Sequence, residues 1–188
     1  MLIDVTSFTS GPRQIENAVA VPKTANQIAV AERINGCVGF YQPEFLRRAV
    51  GKQWFSLIDA YSEVEHKVSG NESAEGEEPN EEPVEVETPV EPTEEELKIA
   101  ALAEALKEPF AEYVFFYMLR DMNHQTTITG LVQLKCANSY VSPLEKGVQA
   151  WNRMVEGMRL FAGEVKRLGV EGVTIDRDML TNINSFNL

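Results

Sequence analysis

The run "NESAEGEEPNEEPVEVETPVEPTEEE", Asn71 to Glu96, lies inside the chain and limits what the remainder can fold into. From Ser69 to Glu96 there are twelve glutamates and four prolines, with no lysine, arginine or aromatic residue. Such a segment repels itself and buries too little apolar surface to offset the entropy of ordering, which predicts a disordered or extended acidic linker over 69–96. Because it is internal, both of its ends must join folded pieces. The chain holds 29 acidic against 17 basic residues, so the formal charge of −12 sits wholly in this run and the rest carries 17 of each sign. Two readings stand side by side. The run is either a solvated loop inserted between two helices, tolerated because closure entropy grows slowly with length, or an acidic brush that repels DNA and non-specific partners.

The 188-residue chain without this run keeps 160 residues, enough for one domain with a sizeable core. No apolar window reaches the 18 or more residues of a transmembrane helix, so no membrane partner is expected. The start, "MLIDVTSFTSGPR", lacks a basic segment followed by an apolar one, and a cytosolic product is expected. Cys37 and Cys136 stand far apart with no CxxC, as two buried thiols would in a reducing compartment.

The pattern predicts a mainly α fold: a helical bundle with a small β-rich hairpin or loop, an extended N-terminal arm and an apolar C-terminal tail. Residues 1–22 read as the arm, strand-like from Leu2 to Val5 and punctuated by Gly11, Pro12 and Pro22. It needs a sheet edge or groove, in this chain or in a neighbour. Residues 23–68 and 97–168 form the single helical domain. Its first part reads as two or three short helices, weakened at Gly36 and Gly39, with Pro43 in a first turn and Gly51 as a C-cap. Thr93 and Glu96 have capping-box spacing at the head of "EELKIAALAEALKE", which Pro109 should break or kink. Tyr113 to Leu119 is apolar on every side, the mark of a helix buried all round. "TTITGLVQLKCANS" reads as the hairpin, with Gly130 at the bend.

The longest predicted helix follows, capped by Ser142, Pro143 and Glu145 and stopped by Gly169; at the usual helical rise it spans about 40 Å. One seam on it runs Leu144, Val148, Trp151, Val155, Met158, Ala162, Val165. A second runs Gly147, Ala150, Met154, Gly157, Phe161, small enough for close approach of another backbone. Residues 169–188 form a tail too apolar to hang free, which returns to its own core or docks on a partner.

Sites of chemistry are scarce. There is no GxGxxG, HExxH or GxSxG. Gly51-Lys52 looks like part of a phosphate loop, but Leu46 and Gln53 stand where glycine and serine or threonine belong. His66 and His124 fall near predicted helix ends and are expected to be structural. Asp176 and Asp178 could share a cation, although an N-cap accounts for them more simply. Arg47, Arg48 and Lys52 could form a small basic patch or a solvated helix face. No catalytic residues, cofactor or metal follow, and the expectation is a non-enzyme.

Four segments carry a resemblance: "FYQPEFLRRAVGKQWFSLIDAY", "FAEYVFFYMLRDMN", "TTITGLVQLKCANSYVSP" and "QAWNRMVEGMRLF". Pro43 to Leu46 fill a P-E-F-L helix entry, and Tyr113, Tyr117 and Arg120 a Y-x-x-x-Y-x-L-R helix. Thr126 to Gly130 fill a Thr-Thr-x-x-G bend, and Asn138 to Met154 an Asn-x-x-x-Ser-Pro entry to an A-W-N-x-M helix. In this order they resemble the head-to-tail connector, or neck ring, proteins of tailed bacteriophages infecting Bacteroidetes, the crAss-like phages and their relatives. The acidic run departs from the pattern, in a region of variable length.

That resemblance implies a structural virion protein, made in the host cytoplasm and placed at the portal vertex. Its partners would be copies of itself in a closed ring, commonly a dodecamer, the portal protein, and tail or neighbouring ring proteins. Genomic DNA would pass through the lumen without sequence-specific binding. The subunit-interface residues expected are Leu2, Ile3 and Val5 in the arm and Ile183, Phe186 and Leu188 in the tail, with Trp54, Phe115 and Trp151 in the core. Another neck or tail-completion protein, or a non-catalytic helical adaptor with an acidic flexible loop, are the alternatives.

Overall fold

In a computed structural model the chain is described over residues 1–71, 93–122, 124–127, 130–133 and 144–184, with side chains over 1–62, 93–121 and 144–184. Three helices dominate: α1 (Ala25–Asn71), α2 (Glu94–Met122) and α3 (Leu144–Arg167). Between α2 and α3 the backbone of β1 (His124–Thr127) pairs antiparallel with β2 (Gly130–Gln133), His124 opposite Gln133.

The middle layer is α2, packed between α1 and α3. Tyr41 lies against Tyr117 while Phe45 meets Phe110, so α1 and α2 run antiparallel. Gly147 faces Phe116 while Gly157 faces Pro109, so α3 is antiparallel to α2 and parallel to α1. The all-round apolar stretch of α2 is what this position requires. Tyr113, Val114, Phe115, Phe116 and Met118 are all buried, because one side of that helix faces each outer layer. Tyr113 touches both of them: its ring is 5.3 Å from Phe45 on α1 and 6.3 Å from Trp151 on α3, centre to centre. Phe115 and Trp151 lie in the core, whereas Trp54 is only half-buried.

On α3 the core face falls between the two seams. Gly147, Ala150, Met154 and Phe161 of the small-residue seam are buried together with Trp151, Val155 and Met158, whereas Leu144 at the end of the other seam is exposed. The small residues let α3 close onto α2: a Cβ at Gly157 would stand 3.1 Å from Pro109 Cβ. Gly169, with φ +62°, ends α3 in a Schellman turn, its own N–H donating to the Lys166 carbonyl and that of Val170 to Val165.

The helix boundaries correct several expectations. The chain does not break at Gly36 or Gly39, and Pro43 sits in the interior of α1 rather than in a first turn. Likewise α2 continues through Pro109. In both places the lost backbone bond is outweighed by burial of the flanking apolar residues, Val38, Phe45 and Leu46 in α1 and Leu106, Phe110 and Ala111 in α2. The Thr93–Glu96 capping box forms, the Thr93 N–H donating to Glu96 Oε2 (2.8 Å) and the Glu96 N–H to Thr93 Oγ1 (3.3 Å). Glu94, Glu95 and Glu96 thus make the first turn of α2, and Ser69 to Asn71 the end of α1. Only residues 72–92 of the acidic run lie outside the described residues, as do the α3 caps Ser142 and Pro143.

The arm is not a continuous strand. It forms short 3-10 turns, Val5–Phe8 and Gly11–Arg13. The Asp4 carboxylate accepts from the Thr6 N–H (2.9 Å) and so nucleates the first turn, which drives Phe8 fully into the core.

Gly51 is the joint of α1. Its φ of 77° and ψ of 178° belong to a region open essentially to glycine, and the two limbs meet there at a kink. Alanine at this position would also place a Cβ 2.1 Å from Thr174 Oγ1. Gly51→Ala is expected to cost at least about 2 kcal/mol in urea unfolding. Adding Thr174→Ala should recover part of that loss, since it removes the overlap and leaves the backbone strain.

Candidate functional site

The residues expected at a subunit interface lie at the two ends of the chain, and both the arm and residues 170–184 fold back on the chain's own helices. At the N-terminus the Met1 ammonium donates to the Ser62 carbonyl (2.9 Å) and the Leu2 N–H to Gln42 Oε1 (2.8 Å). Gln42 is buried and is held in turn, its amide donating to Asp59 (2.9 Å) and Ser62 (3.2 Å). Leu2, Ile3 and Val5 are 3%, 6% and 6% exposed within the single chain. In this fold their side chains are core, not surface.

Arg13 ties the arm to the middle layer. Its guanidinium forks onto Glu108 (2.6 and 3.1 Å) and reaches Glu112 (3.2 Å), whose buried carboxylate also accepts two bonds from Arg153 on α3 (2.7 and 3.0 Å). One carboxylate on α2 thereby holds the arm and α3 at once. Burial works against the Arg13 charge, but the bonds and charges of Glu108 and Glu112 raise its pKa. Glu108 in turn is held below the usual carboxylate range, chiefly by its hydrogen bond from Arg13.

At the other end, residues 170–184 run back as a strap over the kink of α1 and along α3. The Thr174 and Asp176 N–H groups donate to the Val50 and Arg48 carbonyls (3.3 and 2.8 Å), acceptors next to the Gly51 joint. The Trp54 indole donates to the Glu171 carbonyl and the Trp151 indole to that of Thr181. Asn152 makes a reciprocal pair with Ile183, accepting from its N–H (2.9 Å) and donating to its carbonyl (3.0 Å). Met179 is fully buried and Ile183 half-buried. The expected tail residues Phe186 and Leu188 lie outside the described residues.

The polar residues singled out in the sequence are drawn into this strap. Arg48 bonds Asp176 (2.8 Å), which leaves Arg47 over the Phe55 ring and Lys52 exposed, so the three bases do not converge on one point. Burial lowers the Arg48 pKa, but the bonds and charges of Asp176 and Tyr113 together outweigh it and the net shift is upward. Asp176 takes the N-cap role: its side chain accepts from the Asp178 N–H (3.0 Å) and opens the 3-10 turn Arg177–Leu180. That bond, followed by Arg48, lowers its pKa. The side chains of His66 and His124 lie outside the described residues. Among the described residues no cluster of three His, Cys, Asp or Glu side chains could hold a metal ion, and no helix is long and apolar enough to cross a membrane.

A groove of about 400 Å³ opens between the second limb of α1, the start of α2 and the root of the strap. Trp54, Leu57, Ile99 and Val170 line it, and among the described residues its titratable groups are Glu95, Lys98 and Glu171. Lys98 is paired with Glu94 at 2.7 Å. This lining pairs no nucleophile with a base, and it suits apolar contact better than proton transfer.

Sequence reasoning missed the Glu112 clamp, because a lone glutamate in an apolar run gives no sign of which arginines will reach it. It also missed the outward side of α1, where Phe40 is 74% exposed. The repeated glycines Gly36 and Gly39 beside it were the available signal.

No protein-family model, curated protein or solved structure matches the chain.

The strap and arm carboxylates have a pH signature. Asp176 and Glu108 both titrate below their ordinary values of 3.8 and 4.5 in the folded chain. The stability they contribute is therefore fully present above those values and lost as pH falls through the lower native ones. The urea midpoint should drop between about pH 5 and pH 2, and Arg48→Met should shrink that drop. An acid profile unchanged by Arg48→Met would show that the Arg48–Asp176 bond does not form in solution.

Proposed function

We propose that the chain is a structural virion protein, one subunit of a head-to-tail connector ring between the portal and the tail of a bacteriophage. The observation that carries this reading is the convergence of three of the four segments on which the resemblance rests. Phe45 and Leu46 of the P-E-F-L entry, Tyr113 and Tyr117 of the buried helix and Trp151 of the A-W-N-x-M helix are distant in sequence. Phe45, Tyr113, Tyr117 and Trp151 meet in one aromatic cluster between α1, α2 and α3, and Leu46 is fully buried in the same core. The resemblance thus rests on residues that define a single core rather than on scattered matches.

A ring subunit also needs a rigid body. Here that body is the helical bundle, and the β-rich hairpin, the arm and the tail are its accessories. The ring partners would be copies of the chain, with the portal protein on one side and tail or further ring proteins on the other. DNA would cross the lumen without being read. The acidic run 69–96 supplies the chain's net negative charge to the ring.

The test is the number of copies on purified particles or isolated portal complexes, by imaging or mass. About a dozen symmetry-related copies at one vertex is the expected outcome. A single copy, or none associated with capsids, would leave a helical adaptor docking a partner in the groove beside Trp54 and Leu57.

A further inference from the structure

The layer order leaves two outer helix faces, on opposite sides of the bundle, and they are matched in shape and charge. On α1 the residues Arg33, Gly36, Phe40, Pro43 and Arg47 recur at three- and four-residue steps; all but half-buried Pro43 are exposed, and Arg33 also borders a pocket with Ile15 and Met118. Phe40 is 74% exposed, and a Cβ at Gly36 or Gly39 would meet no atom of the described residues within 4 Å. Glycine and proline are poor choices for a solvent-facing helix interior, and here neither crowding nor a positive φ within the chain calls for the two glycines. Pro43, lacking an N–H, also withholds the usual donor from the Gly39 carbonyl. On α3 the outward stripe is Glu156, Leu160, Gly163 and Arg167. It carries the same pattern: Leu160 is 74% exposed, and Gly163 has open space where a Cβ would stand.

We propose that the outer face of α1 in one copy receives the outer face of α3 of the next copy. Because α1 and α3 run parallel within the bundle, copies stacked in the order α1, α2, α3 bring these two faces together with the helices still parallel. In register, the stripes oppose Arg47 to Arg167. Slid by half a heptad they set the Phe40 ring over bare Gly163 and Leu160 over bare Gly36. The same slide brings Arg33 to Glu156, an attractive pair, while Arg167 keeps Glu164 and Glu44 keeps Arg48 and the Tyr113 hydroxyl within the chain. Two different faces joined in this way form a heterologous contact, the kind that generates rings when its rotation closes. The inference rests on the ring reading and adds to it which surfaces meet.

Engineered cysteines test it in the full-length chain, since both positions are exposed and tolerate a side chain. F40C and G163C are made singly and together in a background of Cys37→Ser and Cys136→Ser, then oxidised with copper phenanthroline at high protein concentration. A disulfide needs the two Cα atoms within about 7 Å. The mixed single variants should give a linked dimer that neither gives alone, and the double variant a ladder of higher species. Arg33→Glu should weaken the linkage and Glu156→Arg in the other copy should restore it. A dimer from F40C alone, or no linked species from the mixture, overturns the contact. Counting copies at the vertex separates the failures: a symmetric ring without the linkage removes only this interface, whereas no ring removes the reading beneath it.

Discussion

The burial of α2 between α1 and α3 is the constraint on which the rest of the fold depends. A helix apolar on all sides cannot face water, so two others must cover it. Tyr113 is the point where both covers meet, buried at 0% exposure with its hydroxyl donating to Glu44 (3.0 Å). Burial, then Tyr117 and Glu44, push its pKa upward, which keeps the phenol neutral and its hydrogen bond intact. The close approach of α3 follows from the same requirement. Gly147 and Gly157 sit where Phe116 and Pro109 press outward, and larger residues there would hold the layers apart.

The termini follow from that core rather than adding to its surface. Three layers leave open grooves along the edges of α2, and the arm and strap fill them. Glu112 shows the economy of the arrangement: a carboxylate inside an apolar layer is tolerable because two arginines, one from the arm and one from α3, satisfy both of its oxygens. The strap does the corresponding task at the α1 kink, where its N–H groups meet the Arg48 and Val50 carbonyls. With arm and strap folded in, Phe40 on α1 and Leu160 on α3 remain exposed on the outer helices.

Much of this architecture is legible in the sequence. The capping box at Thr93, the buried character of Tyr113 to Leu119 and the glycine stop at Gly169 are short-range signals with short-range causes, and the chain forms each of them. Boundaries set by tertiary burial are less legible. Pro43 and Pro109 read locally as breaks, yet apolar residues on both sides keep each helix continuous. The arm reads as a strand because Leu2 to Val5 alternates, but the Asp4 carboxylate caps a 3-10 turn that begins at Val5. The apolar residues chosen at both ends shared one ambiguity, that an apolar terminus serves its own core as readily as a neighbour's. Pattern alone does not separate those outcomes, because the grooves that receive Leu2, Met179 and Ile183 exist only after α1, α2 and α3 have packed.

The central claim is that the chain closes its own core with both termini before it meets any partner. Native-state hydrogen exchange on the free protein tests it at the amides of Leu2, Thr174, Asp176 and Ile183, each of which donates within the chain. The account predicts strong protection at all four, approaching that of the α2 amides. Rapid exchange at these positions beside a protected α2 would contradict it, and would return the arm and strap to the role of linkers between subunits.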